Sequence, residues 1–232
     1  MKITVNFAAN HQGRVYTLLP LEHRPDLVHA IHACFLEAGE NYIGQEKIEF
    51  SFTNVLGGRR PPRQRRYIQY QRSMFFNFSS PDAKIIRDLI RGIQKKEIFT
   101  LYGHEFPVAS VRILPEPDFQ SGTGIFILKD LFLRELNQGC DYRQPVSAER
   151  IIEVLRAQTL RRLAAVNLPS EGLSLEIMGD HYARVRSYKD LYHRVFSCQL
   201  SVRADPKTLF YLYHAGIGQS TGIGYGHALF QR

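Results

Sequence analysis

Apolar and polar residues alternate at the start of the chain. Lys2-Ile-Thr-Val-Asn-Phe7 places every second side chain on one face, the period of a half-buried strand. After Leu18-Leu-Pro-Leu21 the period changes. Pro25 suits a first helical turn, and Leu27, Val28, Ile31, Cys34, Phe35 and Ala38 recur at three- and four-residue spacing before Gly39. Ile48 to Val55 and Tyr67 to Phe78 predict two further strands on either side of Gly57-Gly58 and an arginine-rich stretch. Ser80-Pro-Asp82 signals a second helix start, with Ile85, Ile86, Leu89, Ile90 and Ile93 on one face and Lys95 and Lys96 at the end. Phe99 to Phe106 and Val108 to Leu114 supply strand material again.

Pro115-Glu-Pro-Asp118 and Gly122-Thr-Gly124 interrupt the pattern near the middle, where a boundary is expected. The theme then recurs: a strand at Ile125 to Leu128, a helix at Ser147 to Ala165, and strands at Leu173 to Met178 and Tyr192 to Val202. A short helix begins at Asp205-Pro206, and a last strand runs from Tyr225 to Phe230. The order strand, helix, strand, strand, helix, strand thus occurs twice. It predicts an α+β chain of two tandem ferredoxin-like (RRM-like) βαββαβ domains, residues 1–118 and 119–232.

Between the last helix and the last strand lies the densest signal in the chain. Five of its seventeen glycines fall within Gly216-Ile-Gly-Gln-Ser-Thr-Gly-Ile-Gly-Tyr-Gly226. Such density marks backbone that takes positive φ or approaches something closely. A phosphate loop of the Gly-Lys-Ser/Thr type is excluded, because residues 216–226 contain no lysine. A dinucleotide-binding turn needs a helix and a further strand after it, and only six residues follow Gly226.

Charge changes the picture next. Thirty Lys/Arg against twenty-two Asp/Glu give a net charge of +8, which favours a polyanionic partner such as nucleic acid. Arg59-Arg-Pro-Pro-Arg-Gln-Arg-Arg66 concentrates that charge, with Arg59, Arg60, Arg63, Arg65 and Arg66 and no acidic residue among them. The two prolines keep it from pairing as sheet. Arginine forks suit phosphates and unpaired bases. A solvated turn is the alternative reading. Arg150, Arg156, Arg161 and Arg162 offer a second basic surface, or simply the wet side of an amphipathic helix. Three scattered cysteines, Cys34, Cys140 and Cys198, form neither a disulfide framework nor a zinc pattern. No signal-peptide run or long apolar segment is seen, so the expected location is the cytoplasm, with no membrane partner.

The tail fits Gly-x-Gly-x5-Gly-x-Gly, with Gly216, Gly218, Gly224 and Gly226 in the pattern positions. On a basic two-domain chain that opens with a strand and a helix after Leu-Pro, this resembles the CRISPR-associated repeat-specific endoribonucleases of the RAMP superfamily. The resemblance implies metal-independent cleavage of precursor CRISPR RNA, with no cofactor. The ribose 2′-hydroxyl attacks the adjacent phosphate and leaves a 2′,3′-cyclic phosphate and a 5′-hydroxyl. Such chemistry needs a base, an acid and a cation near the phosphate. The family commonly places a histidine on or just after its first helix, where this chain has His29 and His32. Counted at about 100° per residue, His32 lies about 100° from the centre of the apolar stripe and His29 about 160°. His32 is therefore the preferred catalytic residue, because its neighbours can hold it in place. Tyr42 is placed either to orient the 2′-hydroxyl or to cap the core. Lys47 is placed either to stabilise the phosphate or to solvate a strand end.

The family's loop usually carries a lysine or arginine in its middle, where this chain has Gln219-Ser220-Thr-Gly. Its loop is therefore expected to meet RNA through backbone amides at Gly216, Gly218, Gln219, Ser220, Gly224 and Gly226. Expected partners are CRISPR repeat RNA or crRNA and other CRISPR effector subunits, with monomer and homodimer both open. A non-catalytic RNA-binding subunit of a CRISPR effector complex shares the fold and charge, and only the histidine separates the two readings. An RRM-type binder is disfavoured, because the Lys/Arg-Gly-Phe/Tyr-Gly/Ala-Phe pattern is absent. A small-molecule enzyme is disfavoured by the lack of a clustered acid pair or nucleophile.

Overall fold

The first strand pairs on both of its edges, which sets the architecture of the N-terminal unit, Met1–Pro115. The computed structural model describes residues 1–8, 16–42, 49–71, 73–139, 141–142 and 144–231. Strand β1 (Lys2–Phe7) turns Ile3, Val5 and Phe7 into the core, as the alternation predicts. The ribbon strand β2 (Thr17–Pro20) and helix α1 (Arg24–Glu37) follow. Strand β3 is only Ser51–Phe52. Strands β4 (Tyr67–Tyr70) and β5 (Phe75–Ser79) precede helix α2 (Ala83–Lys96), and a hairpin of β6 (Ile98–Leu101) and β7 (His104–Ile113) completes the unit. The main sheet runs β3-β5-β1-β7-β6, antiparallel throughout. Its four principal strands therefore lie in the order 4-1-3-2, the ferredoxin-like arrangement.

Packing explains why the elements sit as they do. Helix α2 starts where Asp82 accepts a hydrogen bond from the Lys84 amide at 2.7 Å. A Cβ on Gly92 would lie 1.8 Å from the Cys34 carbonyl oxygen, so this glycine is what lets α1 and α2 cross closely. The sheet side of the core is aromatic: Phe7, Phe52, Phe76, Phe78, Phe99 and Phe106 are all buried. The predicted single strand from Tyr67 to Phe78 is two strands. Strand β4 leaves the main sheet and pairs with β2, because Tyr70 turns inward and its hydroxyl donates to the Val55 carbonyl at 3.0 Å.

The C-terminal unit, Glu116–Arg232, repeats the order. Strand β8 (Thr123–Phe132), helix α3 (Ala148–Ala165), strands β9 (Ser174–Tyr188) and β10 (Leu191–Arg203), helix α4 (Pro206–Ala215) and strand β11 (Ala228–Phe230) follow one another. The sheet order β11-β8-β10-β9 is again 4-1-3-2. Its core gathers Phe126, Leu128, Leu155, Leu163, Leu200 and Leu209. Strands β9 and β10 are far longer than their apolar alternation suggests. Gly179, at φ +69°, and a bulge between Ser197 and Gln199 shift the register, and the hairpin beyond them exposes Tyr182, Leu191 and Tyr192. Among the described residues, no helix is long and apolar enough to cross a membrane.

Candidate nucleic-acid interface

The two histidines of α1 occupy different environments, as the helical wheel predicts. His29 is exposed. His32 is half-buried, with its ring edge-on to Phe35 at 6.4 Å and to Phe50 at 6.3 Å. Its Nδ1 is buried without a hydrogen-bond partner among the described residues. Burial, and secondarily the neighbouring His29, hold its pKa below the ordinary histidine value. At neutral pH His32 is therefore an uncharged imidazole, the form that accepts a proton.

Tyr42 sits against the same aromatic group, with its ring edge-on to Phe35 at 4.7 Å. Its hydroxyl donates to Asp88 Oδ2 at 2.5 Å and accepts from Lys84 Nζ at 3.0 Å. Lys84 also bridges Glu40 at 2.6 Å and Asp88 at 2.8 Å. Burial, then the bond to Asp88, raise the phenol pKa. This network ties the segment after α1 to α2. Lys47 lies outside the described residues.

A histidine that pattern reading passes over, His23, is firmly held in this unit. His23 is fully buried; its Nε2 accepts from the Val55 amide at 3.2 Å, so Nδ1 carries the proton and donates to the Pro20 carbonyl at 2.8 Å. It locks the entry of α1 to the neighbouring chain. Pro20 and Val55 meet it through backbone groups, so no sequence signal marks those two contacts.

The arginine stretch is an ordered, exposed projection from the β2–β4 ribbon. Arg59, Arg60, Arg63, Arg65 and Arg66 are all exposed, and none makes an ion pair among the described residues. The prolines do not prevent all pairing, since Arg59 forms a bridge with Gln69 through N–H···O bonds of 2.9 and 2.8 Å. Turn bonds from Gln64 to Pro61 and from Tyr67 to Gln64 shape the tip. Five unpaired cations thus stand on one loop.

The α3 arginines behave otherwise. Arg150 pairs with Glu153 at 2.6 Å and Arg161 with Glu135 at 3.0 Å. Arg162 turns to the glycine-rich loop. Only Arg156 of the four makes no such contact among the described residues.

The glycine-rich loop is a closed turn. The Ile217 amide donates to the Gly226 carbonyl at 2.8 Å, and the Gln219 and Gly226 amides donate to Phe132 and Asp130 of β8 at 3.0 and 2.8 Å. The Gln219 side chain accepts from the Arg134 amide at 2.6 Å. Gly216, Gly218, Gly224 and Gly226 all have positive φ, and Ser220 joins them at φ +56°. The amides of Ser220, Thr221 and Gly222 have no acceptor among the described residues. Consecutive amides left open beside a left-handed residue form a concavity suited to an anion. Gly226 is the tightest position: at φ +62°, a Cβ there would meet the Ile217 carbonyl oxygen at 1.8 Å. Gly226→Ala is expected to lower unfolding free energy by about 1–3 kcal/mol or more, read as a lower denaturant midpoint. The strand expected from Tyr225 starts only at Ala228, because Tyr225 is buried within the turn, its ring stacked on Phe132.

Among the described residues, no group of three His, Cys, Asp or Glu side chains gathers as a metal site. Two 4-1-3-2 sheets in succession along the chain make a pair of ferredoxin-like folds. A family model described as "CRISPR associated protein Cas6, C-terminal" matches residues 118–228. Over that stretch the chain is similar to the C-terminal domain of the Cas6 proteins. Solved structures agree in fold. One, titled "CRISPR associated protein Cas6", superposes with a TM-score of 0.79 at 18% identity, covering 100% of this chain and 99% of the other. A RAMP protein described as binding different RNA substrates gives 0.80 at 15% identity with full coverage of both chains. A Cas6-related protein from Pyrococcus furiosus gives 0.75 at 17% identity, covering 100% and 98%. No curated protein matches significantly in sequence.

Proposed function

We propose that this protein cuts precursor CRISPR RNA within its repeats, by attack of a ribose 2′-hydroxyl on the adjacent phosphate. The observation that carries the reading is His32, a half-buried histidine on α1 whose pKa is held low and whose Nδ1 has no hydrogen-bond partner among the described residues. In this mechanism His32 removes the 2′-proton as the 2′-oxygen bonds to phosphorus. The bond from phosphorus to the 5′-oxygen breaks, and that oxygen takes a proton from solvent while His32 gives its own back, so protons balance over the turnover. The products are a 2′,3′-cyclic phosphate and a 5′-hydroxyl, so no water is consumed. Tyr42, held between Asp88 and Lys84, supports the aromatic wall behind His32 through Phe35.

Holding the RNA falls to other residues. The exposed arginines of residues 59–66 supply cations for phosphates and planes for unpaired bases. The open amides of Ser220, Thr221 and Gly222 supply uncharged donors for a phosphate oxygen. RNA as the ligand is supported by a RAMP protein of similar fold that is described as binding different RNA substrates.

The test is incubation of the purified protein with a repeat-containing RNA and a scrambled control in excess chelator. The reading predicts one cut per repeat and an intact control. Binding without cutting would assign the chain instead to the non-catalytic RNA-binding subunits of the same fold.

A further inference from the structure

Residues 216–226 contain no charged side chain, yet a cation is built into the base of their turn. Arg162, on the last turns of α3, directs its guanidinium at the end of α4. One terminal nitrogen donates to the Gly216 carbonyl at 2.8 Å and reaches the Gly218 carbonyl at 3.5 Å; the other donates to the Ala215 carbonyl at 3.1 Å. The guanidinium also lies over the Tyr211 ring, 5.4 Å from its centre. These carbonyls belong to the end of a helix and to the two glycines that follow, all at conformations with few intrinsic restraints.

We propose that Arg162 is a positioning residue: its planar fork gathers the carbonyls of residues 215, 216 and 218 onto one side and so fixes which amides the loop presents on the other. The neighbouring Arg161 is committed to Glu135, so it does not substitute. A lysine would keep the charge but not the fork, because an ammonium is a point donor that cannot span the same carbonyls in one plane. The role is distinct from phosphate binding, since the donors of Arg162 already face the protein's own carbonyls. Its consequence for RNA rests on the function proposed above; its consequence for the loop does not.

Two measurements on Arg162→Ala and Arg162→Lys decide the matter. The first is amide hydrogen exchange in the RNA-free protein. Ile217 and Gln219 are expected to exchange about tenfold faster in both variants, with the rest of α3 and the β8–β10 ladder unchanged. The second is the salt dependence of binding to an uncleavable 2′-deoxy repeat RNA. Affinity is expected to fall about tenfold in both variants with the slope against log salt unchanged, as fits a residue that touches no phosphate. Unchanged exchange in both variants would overturn the proposal. So would full rescue by lysine, or a slope reduced by about 0.7–0.9, which would mean a direct phosphate contact. If the alanine variant fails to fold, the lysine variant decides alone. If the wild-type protein binds no repeat RNA, the functional reading falls, while the exchange result still judges Arg162.

Discussion

His32→Ala is expected to reduce repeat cleavage by a factor of about 10² to 10⁴ while leaving affinity for uncleaved repeat RNA within twofold. Single-turnover rates at saturating RNA and a separate binding titration give the two numbers. The split matters because a merely structural histidine would lower both. His32 is only half-buried and its Nδ1 has no hydrogen-bond partner among the described residues, so its loss should not unfold α1. The pH profile gives an independent reading. Burial and His29 hold the His32 pKa below the ordinary value of about 6.5, so the base is already neutral at pH 7. The rate should rise with pH and level off with an inflection below that value. His29→Ala removes the secondary cause only. Its expected effect is a small upward movement of the inflection with the plateau rate retained. A His32→Ala enzyme of normal rate would transfer the chemistry to another group.

The second large effect concerns binding. Replacing Arg59, Arg60, Arg63, Arg65 and Arg66 together by alanine is expected to weaken repeat RNA binding about a hundredfold or more at physiological salt. It should also make the remaining affinity less salt-dependent, by up to about 3.5 in the slope of log affinity against log salt for single-stranded RNA. Stability should change little, because all five side chains are exposed and unpaired, and the Arg59–Gln69 bridge is made by backbone atoms that alanine retains. The cleavage rate of bound RNA should hold. An unchanged slope would mean that the loop meets solvent and nothing else.

Local chemistry made much of the fold legible from sequence. Strand β1 alternates cleanly, the Asp82 and Asp205 caps announce α2 and α4, and the twofold recurrence of βαββαβ appears as the 4-1-3-2 order of both sheets. The wheel of α1 separated His32 from His29, because exposure on a helix follows from angle alone. The glycine spacing carries the resemblance for a physical reason: a Cβ at Gly218 or Gly226 would strike Leu131 or Ile217, so those positions tolerate little else.

What sequence did not reveal depends on contacts between distant residues. The α3 arginines read as one basic face, yet Arg161 is paired with Glu135 and Arg162 is turned onto loop carbonyls more than fifty positions away. Tyr42 gave no hint of Asp88 and Lys84, which arrive from α2. His23 is fixed by two backbone groups, which have no sequence identity to read. The length of the β9–β10 hairpin was hidden because its far half packs on little, so its residues need no apolar alternation.

The central claim is that a ribose 2′-oxygen, and not water, attacks the scissile phosphate. The most direct measurement is the chemistry of the ends left on repeat RNA cut in excess chelator, read by mass spectrometry of both fragments. The account predicts a 2′,3′-cyclic phosphate on the upstream fragment, a 5′-hydroxyl on the downstream one, and no product when a 2′-deoxyribose precedes the cut. A 5′-phosphate with a 3′-hydroxyl, or cleavage that proceeds through the deoxy substitution, would contradict it.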